Sequence, residues 1–88
     1  RRAAGQPDRP EDRGLFEALR AKRLALAREQ GVPPYVIFHD STLLEMAAAR
    51  PRSLDDLGRL NGVGSAKLQR YGKAFLDVVG GHQESYPA

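Results

Sequence analysis

The chain has no cysteine, which excludes a disulfide scaffold and any cysteine-ligated zinc or iron–sulfur site. Histidine is scarce as well: His39 and His82 stand far apart, so a metal site built from neighbouring ligands is not expected. No apolar run approaches the ~20 residues that crossing a bilayer requires. A strong excess of one charge is also missing, since fourteen Lys and Arg face eleven Asp and Glu for a formal net charge of +3. That balance favours a polyanionic partner without establishing one. The 88 residues leave room for one domain at most. So small a core is a poor host for a catalytic pocket, which makes an accessory module the leading class. The first residue is Arg1 rather than Met, and no apolar signal core follows Arg1–Gly5, so a module of a longer protein is expected.

Residues 1–12 hold six charged side chains, Gly5, Pro7 and Pro10, but no Leu, Ile, Val, Phe or Tyr. A segment of that kind buries too little apolar surface to offset its ordering entropy, and it reads as a flexible linker. Residues 83–88 read as a polar C-terminal tail, which leaves residues 13–82 as the folded unit. That unit carries eleven Lys and Arg against seven Asp and Glu, so the basic excess belongs to the domain.

The apolar period inside it is helical. Leu15, Leu19 and Leu26 fall within ~40° on a helical wheel, with Phe16 and Ala27 beside them. Gly31 and Pro33-Pro34 stop this helix at Gln30, and Tyr35-Val36-Ile37-Phe38 follows as a short apolar turn. Asp40, Ser41 and Thr42 offer N-caps to a helix ending near Arg50-Pro51, and Thr42 and Glu45 have capping-box spacing. Ser53 opens a short helix with Asp55 and Asp56 in its first turn. Asn61-Gly62-Val63-Gly64 is a tight turn, and Ser65 caps a last helix that Gly80-Gly81 is expected to end. No segment alternates with period two. The predicted fold is all-α, four helices and a short helical turn, with a helix-hairpin-helix-like turn near the C-terminus.

Three features bear on function. In the hairpin, Gly62 and Gly64 permit positive φ and close approach, and the amides opening the helix at Ser65 suit an anion, with Lys67 adding charge. Two helices meeting sharply need glycine in any case, so a purely structural turn is the alternative. Between Asp56 and Asp77 there is no acid, while Arg59, Lys67, Arg70 and Lys73 are basic. The last three share an arc of ~120° opposite the apolar side of their helix. That ridge is either a phosphate-meeting patch or an ordinary solvated face. Tyr35, fixed by two prolines, is either an exposed stacking platform for an unpaired base or a ring turned into the core. The first helix presents Arg13, Arg20, Lys22, Arg23 and Arg28, diluted by Glu17 and Glu29 and open to an Arg13–Glu17 pair. Catalysis has little support: Asp55 and Asp56 sit at a helix start, and His39-Asp40 lacks a nucleophile once Ser41 is taken as a cap.

Leu15-Phe16-Glu17-Ala18-Leu19-Arg20, Val32-Pro33-Pro34-Tyr35-Val36-Ile37-Phe38, Asp40-Ser41-Thr42-Leu43 and Asn61-Gly62-Val63-Gly64 together closely resemble the HRDC (helicase and RNase D C-terminal) domain. The Val-Pro-Pro-Tyr-Val-Ile-Phe form looks most like bacterial RecQ helicases. The resemblance implies a non-catalytic auxiliary domain of an ATP-dependent 3′–5′ DNA helicase acting in repair and recombination in the bacterial cytoplasm, at the nucleoid. It implies single-stranded or branched DNA as partner, with Tyr35 as the aromatic contact and Arg20, Lys22 and Arg23 as phosphate contacts. Lys67, Arg70, Lys73, Gly62, Gly64 and Ser65 complete the candidate site. No cofactor is expected in the domain, while the parent motor would use ATP and Mg. Two rivals stand beside this reading. One is a docking domain that regulates the helicase core in cis or binds a protein partner, and the other is the equivalent accessory domain of an RNase D-type nuclease.

Overall fold

A computed structural model describes residue 7 and residues 9–83. Helix α1 is Arg13–Gln30, α2 the single turn Pro34–Ile37, α3 Asp40–Ala49, α4 Leu54–Gly58 and α5 Ser65–Gln83. A 3-10 turn, Pro10–Asp12, leads directly into α1. The all-α expectation holds, with α2 as the short helical turn, and no strand occurs among the described residues.

Local chemistry sets most of the boundaries. α1 ends because Gly31 takes a left-handed φ of 68° and the Gly31 and Val32 amides turn back onto the Arg28 and Ala27 carbonyls. Pro33 stays extended and Pro34 opens α2, where a missing amide costs nothing. Ser53 caps α4 by accepting from the Asp56 amide at 3.1 Å, as its sequence predicts.

Two expectations are corrected. α5 runs through Gly80-Gly81 to Gln83, so those glycines do not end it. α3 begins at Asp40 with His39 at its N-cap position and no side-chain cap bond. Thr42 and Glu45 serve the hairpin instead of a capping box. Ahead of α1, Asp12 is buried at the end of the 3-10 turn Pro10–Asp12. The rest of the predicted linker and tail, residues 1–6, 8 and 84–88, lies outside the described residues.

α1 and α5 lie antiparallel. The Tyr71 hydroxyl donates to Gln30 Oε1 at 2.9 Å at one end, and the His82 ring lies over Gly14 at the other. Between them and α3, Phe16, Phe38 and Phe75 are fully enclosed with Leu15, Leu19, Ile37, Leu43 and Met46. The Phe38 ring meets Phe75 edge-on at 5.0 Å and Tyr71 at 6.1 Å. Phe38 thereby anchors the chain just after α2 and fixes where the outer half of that turn points.

Candidate nucleic-acid interface

Four consecutive residues divide between core and solvent. Ile37 and Phe38 are fully buried, whereas Tyr35 is 59% exposed and Val36 39%. One helical turn held by Pro33-Pro34 on one side and two buried side chains on the other has little freedom to withdraw the tyrosine. Of the two sequence readings of Tyr35, the exposed ring is the one observed. Its ring lies near-parallel to that of His39, with centroids 6.0 Å apart and planes 19° apart.

Arg23 lines the same hollow as the two rings. Its Nη1 donates to the Phe38 carbonyl at 2.9 Å and meets Asp40 Oδ1 at 2.8 Å. The residue is 8% exposed, and its Nε is buried without a partner. Arg23 is therefore not the free surface cation expected from the sequence. It is a tie between α1 and the turn that carries Tyr35. The signal was present in the spacing: Arg23 is four residues after Leu19 and four before Ala27, at the centre of the buried stripe of α1. His39 and Asp40, not predicted as site residues, are brought to the same place by this tie.

Two shallow hollows flank the tyrosine turn. One, of about 480 Å³, is lined by Arg23, Pro34, Tyr35, His39, Asp40 and Ser41. The other, of about 280 Å³, is lined by Glu17, Arg20, Ala21, Arg23, Leu24 and Pro34. Leu24 is 41% exposed, which gives the second hollow an apolar edge. Arg20 pairs with Glu17 at 3.6 Å, the partner that sequence spacing had offered to Arg13. Charge around Tyr35 is thus mixed: two arginines stand there, each beside its own carboxylate. Lys22, half-buried on α1, has no ion pair among the described residues.

The hairpin is gripped from α3. The Thr42 hydroxyl, almost fully buried, donates to the Asn61 carbonyl at 3.0 Å. The Glu45 carboxylate accepts from the Asn61 amide at 3.2 Å and from Asn61 Nδ2 at 3.3 Å. Gly62 has φ 88°, and a Cβ there would collide with the Thr42 hydroxyl, so glycine is required. Gly64 has no positive φ, and a Cβ on it would meet open space, contrary to the expectation that both glycines serve the turn alike. Ser65 is the exposed first residue of α5, and the Gly64 carbonyl accepts from the Leu68 amide at 2.8 Å, so Gly64 rather than Ser65 stands at the cap position. A carboxylate already occupies one hairpin amide, which makes this a less favourable seat for phosphate than the sequence suggests.

On α5, Arg70 and Lys73 are exposed and Lys67 is half-buried. Lys67 Nζ lies 5.8 Å from the Phe38 ring centroid, and the Arg70 guanidinium 5.5 Å from that of Tyr71. None of the three has an ion pair among the described residues, whereas Arg59 pairs with Asp56 at 3.5 Å. Lys67 thus sits against Phe38, the buried residue that anchors the tyrosine turn. No group of three or more potential metal ligands occurs among the described residues, and no helix there is long and apolar enough to cross a membrane.

The family profile described as the HRDC domain matches residues 12–79. The chain belongs to the HRDC family. This HRDC domain is 42% identical over 72 residues to the ATP-dependent DNA helicase RecQ of Haemophilus influenzae, covering 82% of the chain and 12% of that protein. It is 48% identical over 65 residues to the ATP-dependent DNA helicase RecQ of Bacillus subtilis, covering 74% of the chain and 11% of that protein. Among solved structures, D. radiodurans RecQ HRDC domain 3 superposes with a TM-score of 0.81 at 34% identity, over 84% of the chain and 97% of that domain. The resemblance read from four sequence motifs is therefore correct for both family and fold. The HRDC chain spans about a tenth of the length of the curated relatives it matches.

Proposed function

We propose that this HRDC domain is an accessory, non-catalytic module of a RecQ-type ATP-dependent DNA helicase that holds single-stranded or branched DNA for the motor. Tyr35 carries the reading: a tyrosine 59% exposed on a turn whose other half is locked in the core is a preorganised stacking surface for an unpaired base. Lys67, Arg70 and Lys73, without carboxylate partners among the described residues, supply the phosphate-facing charge. The paired arginines near Tyr35 add little net charge, so stacking leads and electrostatics follow. Binding is accordingly weak, micromolar or poorer, with a shallow dependence on salt. ATP and Mg belong to the parent motor, and the domain acts by placing the strand.

Titration of a labelled single strand with the 88-residue chain at low salt tests this. Saturable binding that weakens on Tyr35→Ala is expected, and an absence of binding at high protein concentration ends the claim.

A second reading has its own observation. Val36 within the tyrosine turn and Leu24 on α1 are exposed, and local charge is neutralised in pairs. Such a surface also suits docking on the parent's helicase core in cis. Comparing DNA-stimulated ATPase of the parent with and without this domain tests it: a rate that changes even where the domain binds no DNA favours docking.

A further inference from the structure

We propose that His39 is a second nucleic-acid contact of the Tyr35 platform, taking a phosphate as an imidazolium, so that single-strand affinity is set by pH. The proposal rests on the single-strand reading above and deepens it.

Most charges near Tyr35 are fixed or already paired. Arg23, from α1, is neutralised by Asp40, and Arg20 by Glu17. From α2 the facing group is Tyr35 itself, from α3 they are Asp40 and Ser41, and from α5 Lys67 stands over Phe38. Tyrosine, arginine, lysine and carboxyl side chains ordinarily keep one protonation state between about pH 5.5 and about pH 8. Imidazole is the side chain that changes charge in that interval. His39 is exposed, makes no side-chain cap bond to α3, and lies near-parallel to the Tyr35 ring, so its nitrogens are available to a strand whose base stacks on the tyrosine. A base on Tyr35 brings its own phosphates to the rim of the hollow that His39 lines.

Phosphate favours the protonated ring, so binding takes up a proton and affinity rises as pH falls. Neutralising one more phosphate also steepens the salt dependence. The other histidine, His82, lies over Gly14 at the far end of the α1–α5 pair and serves as the internal control.

The test uses the 88-residue chain and a labelled oligothymidine, whose bases do not titrate in this range, at about pH 5.5 and about pH 8. The wild-type chain is expected to bind roughly two- to fivefold more tightly at the lower pH, the range of one exposed charge contact. Its log K against log salt slope should steepen by about 0.7 there, as one added single-strand phosphate contact requires. His39→Gln is expected to bind equally at both pH values with one common salt slope, and His82→Gln to keep the wild-type pH response. A His39→Gln chain that retains the full pH response overturns the inference, as does a wild-type salt slope that is the same at both pH values. If the wild-type chain fails to bind at either pH, or Tyr35→Ala binds unchanged, the platform reading itself falls and this inference with it. Those outcomes are distinct from a pH-independent, Tyr35-dependent association, which sinks the inference alone. Because His39 makes no cap bond, unchanged thermal melts are expected for His39→Gln and keep the comparison interpretable.

Discussion

Arg23 Nη1 stands 2.8 Å from Asp40 Oδ1, a tie from the middle of α1 to the start of α3, just after the tyrosine turn. With the bond to the Phe38 carbonyl it fixes both ends of the segment on which His39 sits. The arginine is almost enclosed while Asp40 is more than half exposed, so solvent screens part of the attraction. Arg23→Gln removes the charge and most of the bridge while leaving a carbonyl and a carboxylate unpartnered. It should lower stability by ~1–3 kcal/mol, seen as a lower urea midpoint at unchanged m-value. Because the guanidinium already serves the fold, the salt slope of single-strand binding should not change.

Tyr35→Ala should separate folding from binding. The ring is mostly solvent-exposed and Ile37 and Phe38 hold the turn without it, so stability should move by no more than ~0.5 kcal/mol. Single-strand affinity should fall by ~1–3 kcal/mol, the range for loss of one base–aromatic stack. Tyr35→Trp, which keeps a π-face, should retain binding. A stability loss comparable to the affinity loss would show that the ring supports the fold instead.

Lys67 and Lys73 offer a complementary test, because neither has an ion pair among the described residues. Each substitution to Gln should flatten the log K against log salt slope by ~0.7 where that lysine meets a single-strand phosphate. Lys67→Gln should also weaken binding more than Lys73→Gln, since Lys67 lies against Phe38, which anchors the tyrosine turn.

The helices were legible in the sequence because period and punctuation agree there: Leu15, Leu19 and Ala27 mark one face, and Gly31 with two prolines ends it. Tyr35 was legible as a candidate because prolines precede it, and Ile37 and Phe38 as core, but only tertiary packing decides whether the tyrosine ring faces core or solvent. Arg23 was misjudged because a charged residue was assigned to solvent by type, although its register with Leu19 and Ala27 placed it on the buried stripe. Thr42 and Glu45 match a capping box in spacing, and what diverts them is Asn61, sixteen or more residues away and invisible to local rules. The Gly80-Gly81 pair fails to end α5 because Val79 and His82 on either side pack against the rest of the fold. Tertiary contact outweighs the weak helix propensity of glycine there.

The two hairpin glycines should behave differently. Gly62→Ala meets both a left-handed φ of 88° and the Thr42 hydroxyl, so it should destabilise the domain by ~1–3 kcal/mol. Gly64→Ala meets neither obstacle and should stay within ~0.5 kcal/mol. Thermal denaturation of the two variants side by side checks this. Equal losses would mean that the hairpin needs backbone freedom at both positions, and the steric account of Gly62 would fail.

Just before α1, the Asp12 side chain is 3% exposed and lies between two guanidiniums, Arg9 Nε at 3.1 Å and Arg50 Nη2 at 3.4 Å. Arg50 also donates to the Glu11 carbonyl and Arg9 to that of Ala48, so the turn before α1 is stitched to the end of α3. Arg50 itself holds a left-handed φ of 49°, a conformation that costs ~1 kcal/mol or more for a non-glycine residue and persists only where surroundings enforce it. Asp12→Ala should therefore remove the group that both arginines share and cost ~1–3 kcal/mol. The matched substitution Arg50→Gly removes one arm of the cluster but also relieves the backbone, so its net cost should be smaller. A chain starting at Arg13 should melt like Asp12→Ala. If it melts like the intact chain, the fold starts where the helix does and the arginine cluster contributes nothing measurable.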